Sequence, residues 1–269
     1  MNFSKHWAAV LDDYVIDLAW SPGGTLLAAA SAAGGITIFD ATSGTVKHTL
    51  PGHTDGTNCL AWSPTGTSLA TGGQDRYVRL WNSSHWQADV LVKFPNAWIE
   101  HLAWQPPEPT EAPVTLFVTA GKKLVALKPN GTMAHEFPDA PKTLSALAWR
   151  PDGAAVASAC FGQVVIWDAA KFTAQKELSY GNAILALTWS PDCRWLVAGC
   201  HDNAVHLWAP AEDLELHMSG YETKLKELSF SRDSQWLATG GGRDACVWDC
   251  TGNGPEGREP LLLPHKARV

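Results

Sequence analysis

Apolar positions along this chain come in short runs separated by clusters of turn-forming residues, and no run has the period of a long amphipathic helix. A typical run, Leu69–Gly72, combines small and β-branched residues. A typical turn, Ser21–Gly24, contains Pro followed by Gly. Because Pro and Gly favour tight turns between strands, the pattern predicts short antiparallel strands joined by hairpins.

One unit of this pattern is repeated six times. A tripeptide that ends in an aromatic residue returns every 40 to 45 residues, as Leu18–Trp20, Leu60–Trp62, Leu102–Trp104, Leu147–Trp149, Leu187–Trp189 and Leu228–Phe230. A turn and two further runs follow each copy, and each period leaves room for a fourth strand. Four antiparallel strands in about 40 to 45 residues form one blade of a β-propeller, so we predict an all-β fold of six four-stranded blades.

The repeats resemble those of the WD-repeat family over roughly residues 15–269. Trp167-Asp168 and Trp248-Asp249 are the dipeptide that gives the family its name, and Gly52-His53 opens the second repeat as the family pattern requires. The chain departs from the pattern at several positions: Phe39 and Phe230 replace Trp, Asn82 and Ala209 replace Asp, and the third repeat ends in Leu127-Lys128 without an aromatic residue.

We expect a single propeller domain over residues 1–269. The expected blades are approximately residues 15–50, 57–94, 99–137, 144–178, 184–218 and 225–263, with a closing strand within residues 1–14 at Trp7–Val10. Since an open ring leaves strand edges unpaired, the extra strand favours a seventh blade. The segment Leu263–Val269 aligns with Leu50–Gly56, which indicates a fragment that stops at the start of blade seven.

Composition narrows the possible partners and locations. Charged residues are 17% of the chain, the net charge is −7 and no block of like charges occurs, so a basic stripe for nucleic acid is absent from the sequence. There is no run of eighteen apolar residues and no signal-peptide core. We therefore expect a cytoplasmic protein with no nucleic-acid or membrane partner. The six cysteines lie at irregular intervals without a C-x-x-C pair, which favours free thiols.

Two clusters of polar side chains could form a catalytic or a metal site. His53, Thr71 and Asp75, with Trp81, could suggest a catalytic triad, but the resemblance implies that these four form a buried structural hydrogen-bond network. Cys200, His201, Asp202 and His206 are close in sequence, yet adjacent strand residues face opposite sides of a sheet, so we expect no metal site. The chain also has no phosphate-binding motif. We predict no catalytic residue and no cofactor.

The remaining prediction is a non-catalytic scaffold that binds one or more partner proteins. The resemblance implies docking on the face formed by the loops before each first strand and between each second and third strand. The candidates at these positions are Gln74, Arg76, Trp98, Glu100, Phe161, His201, Asn203, Tyr221 and Arg243. Trp98 leads because aromatic and Arg side chains anchor interfaces. Two alternatives stay open: a propeller enzyme or ligand sensor that uses the central channel, and a regulatory domain of a larger signalling protein.

Overall fold

The computed structural model describes residues 6–107 and 114–264. Every regular element in these ranges is a β-strand, and the strands form six four-stranded sheets. The chain divides into two compact units: unit 1 is Met1–Gln105 with Pro113–Asp139, and unit 2 is Pro106–Ala112 with Ala140–Val269. Each unit contains three of the sheets.

Unit 1 contains blades 1 to 3. Blade 1 consists of β1 (Val15–Trp20), β2 (Leu26–Ser31), β3 (Ile36–Asp40) and β4 (Val46–Leu50). Blade 2 consists of β5 (Thr57–Trp62), β6 (Ser68–Gly73), β7 (Tyr77–Asn82) and β8 (Ala88–Lys93). Blade 3 consists of β9 (Ile99–Trp104), β10 (Leu116–Ala120), β11 (Lys123–Leu127) and β12 (Met133–Glu136).

Unit 2 contains blades 4 to 6. Blade 4 consists of β13 (Leu144–Trp149), β14 (Ala155–Cys160), β15 (Gln163–Asp168) and β16 (Ala174–Ser179). Blade 5 consists of β17 (Ile184–Trp189), β18 (Leu196–Cys200), β19 (Val205–Ala209) and β20 (Leu214–Met218). Blade 6 consists of β21 (Leu228–Phe230), β22 (Trp236–Thr239), β23 (Asp244–Asp249) and β24 (Leu261–Pro264).

Each blade is an antiparallel meander in which every strand pairs with the next strand along the chain. The register is shifted near the start of the first strand in blades 1 to 5, where a bulge precedes the repeated tripeptide. The prediction of an all-β fold built from six four-stranded propeller blades is therefore confirmed. That the two units form one domain stays a prediction.

Repeated tryptophans join neighbouring blades in unit 1. The indole Nε1 of Trp62 donates to the Ala19 carbonyl of blade 1, and that of Trp104 donates to the Ala61 carbonyl of blade 2, each at 3.1 Å. Both tryptophans are buried. Trp20, which occupies the same position in β1, is 57% exposed.

The closing strand predicted at Trp7–Val10 is wrong, because the first strand of the described chain begins at Val15. The Trp7 ring packs on Phe39, and its Nε1 donates to the Ala41 carbonyl at 2.9 Å. This segment therefore caps blade 1 through a side chain without adding backbone pairing. Residues 265–269, on which the alignment with a seventh blade depends, lie outside the described residues.

The six cysteines are all free: four are buried and two are partly exposed. Among the described residues, no helix is long and apolar enough to cross a membrane.

Candidate protein-binding site

A pocket of about 420 Å³ opens in unit 1, where the turn between β6 and β7 meets the loop between β8 and β9. Six residues line it: Gln74, Arg76, Asn96, Ala97, Trp98 and Glu100. Four of them, Gln74, Arg76, Trp98 and Glu100, are docking candidates from the sequence, so the structure brings these four together.

Backbone contacts around Arg76 hold the two loops against each other. Arg76 has a φ of +69°, a left-handed conformation that allows the chain to turn sharply into β7. Its carbonyl accepts a hydrogen bond from Phe94 N at 2.9 Å, and its guanidinium Nη1 donates to the Pro95 carbonyl at 2.8 Å. The wall of the pocket formed by this turn is therefore fixed by hydrogen bonds before any partner binds.

Trp98 projects from the pocket because its neighbour is anchored. Ile99, the first residue of β9, is completely buried, and in an extended chain the adjacent side chain points to the opposite side. Trp98 is 53% exposed and makes no hydrogen bond with the described residues. A large apolar ring is thus held in solvent beside polar side chains.

Glu100 is the half-buried carboxylate of the pocket. Burial raises the pKa of Glu100 because a charged carboxylate is solvated less well there than in water. Among the described residues, no cation lies within ion-pair distance of its carboxylate. The pocket therefore contains an acidic group whose charge is only partly solvated and not paired.

A hydrogen-bond network lies beside this pocket in blade 2. Trp81 Nε1 donates to Thr71 Oγ1 at 3.0 Å, Thr71 Oγ1 is 2.7 Å from His53 Nε2, and His53 Nδ1 is 2.8 Å from Asp75 Oδ1. One assignment of protons satisfies every member: the Thr71 hydroxyl donates to Nε2, and the Nδ1–H donates to Asp75. The structure thus brings together the four residues grouped from the sequence.

Arg79 belongs to the same cluster, and sequence reasoning missed it. Its Nη1 donates to Asp75 Oδ2 at 2.8 Å and also lies against His53 Nδ1. The spacing of four residues was the available signal, since it places Asp75 in the turn before β7 and Arg79 within that strand. With Arg79 bound to Asp75, the carboxylate is occupied on both oxygens and serves as a structural acceptor.

The pKa shifts agree with a structural role. Burial lowers the pKa of His53 because it disfavours the charged imidazolium, and the Arg79 charge adds to this effect. For Asp75, burial acts to raise the pKa, but the hydrogen bonds from His53 and Arg79 outweigh it and lower the pKa overall. His53 is therefore a neutral imidazole beside the ionised carboxylate of Asp75.

Tyr221 is not a free docking side chain. Its hydroxyl accepts a hydrogen bond from Trp248 Nε1 at 2.8 Å and lies 2.9 Å from Thr239 Oγ1, and burial raises its pKa to about 12. It takes the place in blade 6 that His53 takes in blade 2. The signal was in the sequence, because Tyr221 precedes Trp248 by almost the same number of residues as His53 precedes Trp81.

The other docking candidates lie in unit 2, on separate turns. Phe161 is 57% exposed in the turn between β14 and β15, and His201 is exposed between β18 and β19 with Asn203 beside it. Arg243 lines a second pocket of about 200 Å³ in blade 6, next to Tyr221.

Three of the four residues considered for metal binding in blade 5 are buried or make other contacts, and the fourth, His201, is exposed. Asp202 accepts a hydrogen bond from the Tyr180 hydroxyl at 2.7 Å, while the His206 ring packs on Trp208 with 4.4 Å between ring centroids. Cys200 is buried, and burial raises the pKa of its thiol to about 12. Within residues 6–107 and 114–264, no three His, Cys, Asp or Glu side chains converge as metal ligands would.

Comparisons with known proteins agree with the blade architecture. The family described as "WD domain, G-beta repeat" matches residues 44–82, 174–209 and 214–249, and the anaphase-promoting complex subunit 4 WD40 domain matches residues 1–62. A segment of 65 residues is 48% identical to the transcription factor unc-37 of Caenorhabditis elegans, covering 24% of this chain and 11% of that protein. The repeated blades and these matches together show that the chain belongs to the WD-repeat family.

Proposed function

We propose that this chain is a non-catalytic scaffold that binds partner proteins through the loops before its first strands and between its second and third strands. Members of the WD-repeat family generally act as such scaffolds. The observation that carries the proposal is the pocket of blades 2 and 3, in which the exposed Trp98 ring stands beside Arg76 and Gln74 on loops tied by hydrogen bonds.

The residue types at this pocket suit an interface. Trp and Arg are enriched among the few side chains that supply most of the binding free energy, and truncating such a side chain often costs 2 kcal/mol or more, about a 30-fold loss of affinity. The buried neighbour Ile99 holds the backbone at Trp98 in place, so a partner that covers the ring has mainly the side-chain torsions of Trp98 to restrict. Phe161 offers a second exposed aromatic ring on a turn of unit 2.

Several features of the proposal come from the sequence alone. They are the absence of a cofactor, the cytoplasmic location, and partners that are proteins and not nucleic acid. The name of the similar nematode protein adds one candidate class: proteins of transcription would be sought first among captured partners.

The proposal is tested by affinity capture from the native cell. The double variant Trp98→Ala with Phe161→Ala should lose stoichiometric partners that the unchanged chain retains, because both exposed rings are removed while the buried core is untouched. Trp236→Ala is the matched control, since Trp236 is also exposed but is the first residue of β22 and belongs neither to a loop before a first strand nor to a loop between second and third strands. Equal recovery of partners by the double variant would contradict the proposal, provided that its melting temperature is unchanged.

A further inference from the structure

We infer that the pocket of blades 2 and 3 binds an arginine side chain of a partner protein, with Glu100 as its counter-ion and the Trp98 ring as its stacking surface. This inference rests on the proposed function and names the chemistry of the partner at that same site.

The unpaired Glu100 carboxylate is the first reason. It lines a pocket of about 420 Å³, and no Lys, Arg or His of the described residues lies within ion-pair distance of it. A carboxylate that is partly removed from water gains more from a cation than a fully solvated one does, because the surrounding dielectric screens the attraction less. The raised pKa of Glu100 reflects this loss of solvation.

The second reason is the chemistry of the remaining lining. The indole ring of Trp98 offers the aromatic face to which cations bind most strongly, and Gln74 and Asn96 contribute side-chain amide oxygens that can accept hydrogen bonds. A guanidinium group is planar, stacks on aromatic rings and carries five N–H donors, whereas an ammonium group has three donors and is more strongly hydrated. The lining therefore suits arginine better than lysine.

Arg76 does not already fill this role. Its guanidinium donates to the Pro95 carbonyl and makes no ion pair with Glu100. Its side chain is exposed, so its charge is largely screened by water and opposes a second cation only weakly. The partly buried charge of Glu100 is thus the stronger determinant of which partner group binds.

A displayed library of random heptapeptides, selected on the full chain, tests the inference without knowledge of the natural partner. The expected result is enrichment of arginine at one position among the peptides whose binding is lost with Trp98→Ala. Selected peptides without a basic residue would overturn the inference.

The contribution of the positive charge is then separated from that of the side-chain shape. In a selected peptide, the arginine is replaced with citrulline, which keeps the size and planarity of the guanidinium group but is neutral. The dissociation constant for the unchanged chain should rise at least tenfold, and this measurement needs no protein variant. With Glu100→Gln, the same replacement should change the dissociation constant less than twofold, because the counter-ion is gone. An equal loss for both chains would place the arginine elsewhere and contradict the inference.

The two proposals fail in different ways. If peptides depend on Trp98 but not on a basic residue, the pocket still binds protein segments and only the inference is wrong. If the library yields no peptide that is sensitive to Trp98→Ala, both the arginine site and the role of Trp98 in the proposed function are contradicted.

Discussion

Asp75 is the residue on which the blade 2 network converges, since it accepts hydrogen bonds from both His53 and Arg79. Replacing it with Ala would leave the partly buried guanidinium of Arg79 and the imidazole N–H without their acceptor. We expect Asp75→Ala to lower the free energy of unfolding by about 2 to 4 kcal/mol. Asp89→Ala, in the exposed strand β8 of the same blade, is the control and should change it by less than about 0.5 kcal/mol. Urea unfolding of both variants measures the difference, and equal stabilities would rule out a structural role for Asp75.

Gly73 is required for close packing between β6 and the loop that contains His53. It is the last residue of β6, and its φ is not in the left-handed region, so no turn geometry requires a glycine there. A Cβ there would come within 2.4 Å of the His53 side chain and 2.7 Å of the Gly56 carbonyl oxygen.

We therefore expect Gly73→Ala to displace His53 and to cost about 1 to 3 kcal/mol of stability. Gly23→Ala provides the comparison, because a Cβ at Gly23 meets no atom within 4 Å and its φ is not in the left-handed region. Its effect should stay within about 0.5 kcal/mol. A melting temperature for Gly73→Ala equal to that of Gly23→Ala would show that the site can absorb a methyl group.

At the scale of the blade, the repeated tryptophans act as links between neighbouring sheets. Trp62→Phe removes the donor that binds the Ala19 carbonyl of blade 1, and we expect a loss of about 1 to 2 kcal/mol. Trp20→Phe makes the same chemical change at the equivalent position of β1, where the ring is exposed, and should cost less than about 0.5 kcal/mol. Thermal unfolding of the two variants separates the contribution of the hydrogen bond between blades from the general cost of replacing an indole ring with a phenyl ring.

Blade 2 should also be weakened by acid through His53. The pKa of His53 in the folded chain lies below the usual histidine value of 6.5, so above that pH the imidazole is neutral in both the folded and the unfolded chain and the network is fully stabilising. As the pH falls through 6.5 towards the folded pKa, the unfolded chain gains the proton first and stability decreases. Asp75, whose folded pKa is also lowered, extends the loss to more acidic conditions.

Urea unfolding at pH 7.5 and pH 5.5 tests this coupling. The loss of stability between the two pH values should be smaller for His53→Gln than for the unchanged chain, because Gln does not titrate. An identical pH dependence for both chains would show that other groups are responsible for it.

The blades were predictable because their signals are local. The repeated tripeptides and turns predicted six sheets, and the fourth strand expected in each period is present, as β20 at Leu214–Met218 in the fifth blade. The strand predicted at Trp7–Val10 is absent because the tertiary packing of Trp7 on Phe39 decides the conformation of this segment, although its apolar residues resemble those of a strand.

The sequence placed Tyr221 among the docking residues because an aromatic residue in a loop can belong either to an interface or to a buried hydrogen-bond network, and its position alone does not distinguish the two. Glu100 could be named from the sequence, but its lack of a cationic neighbour depends on contacts that only the folded chain reveals.

For the molecule as a whole, the central claim is that partner proteins bind to loops beside a stable set of blades. Hydrogen–deuterium exchange of the chain alone and with its captured partner measures this directly. We predict slower exchange on binding in residues 74–76 and 94–100 around the pocket, with little change in the outer strands β8 and β12. Protection confined to those outer strands, with unchanged exchange around Trp98, would contradict the account.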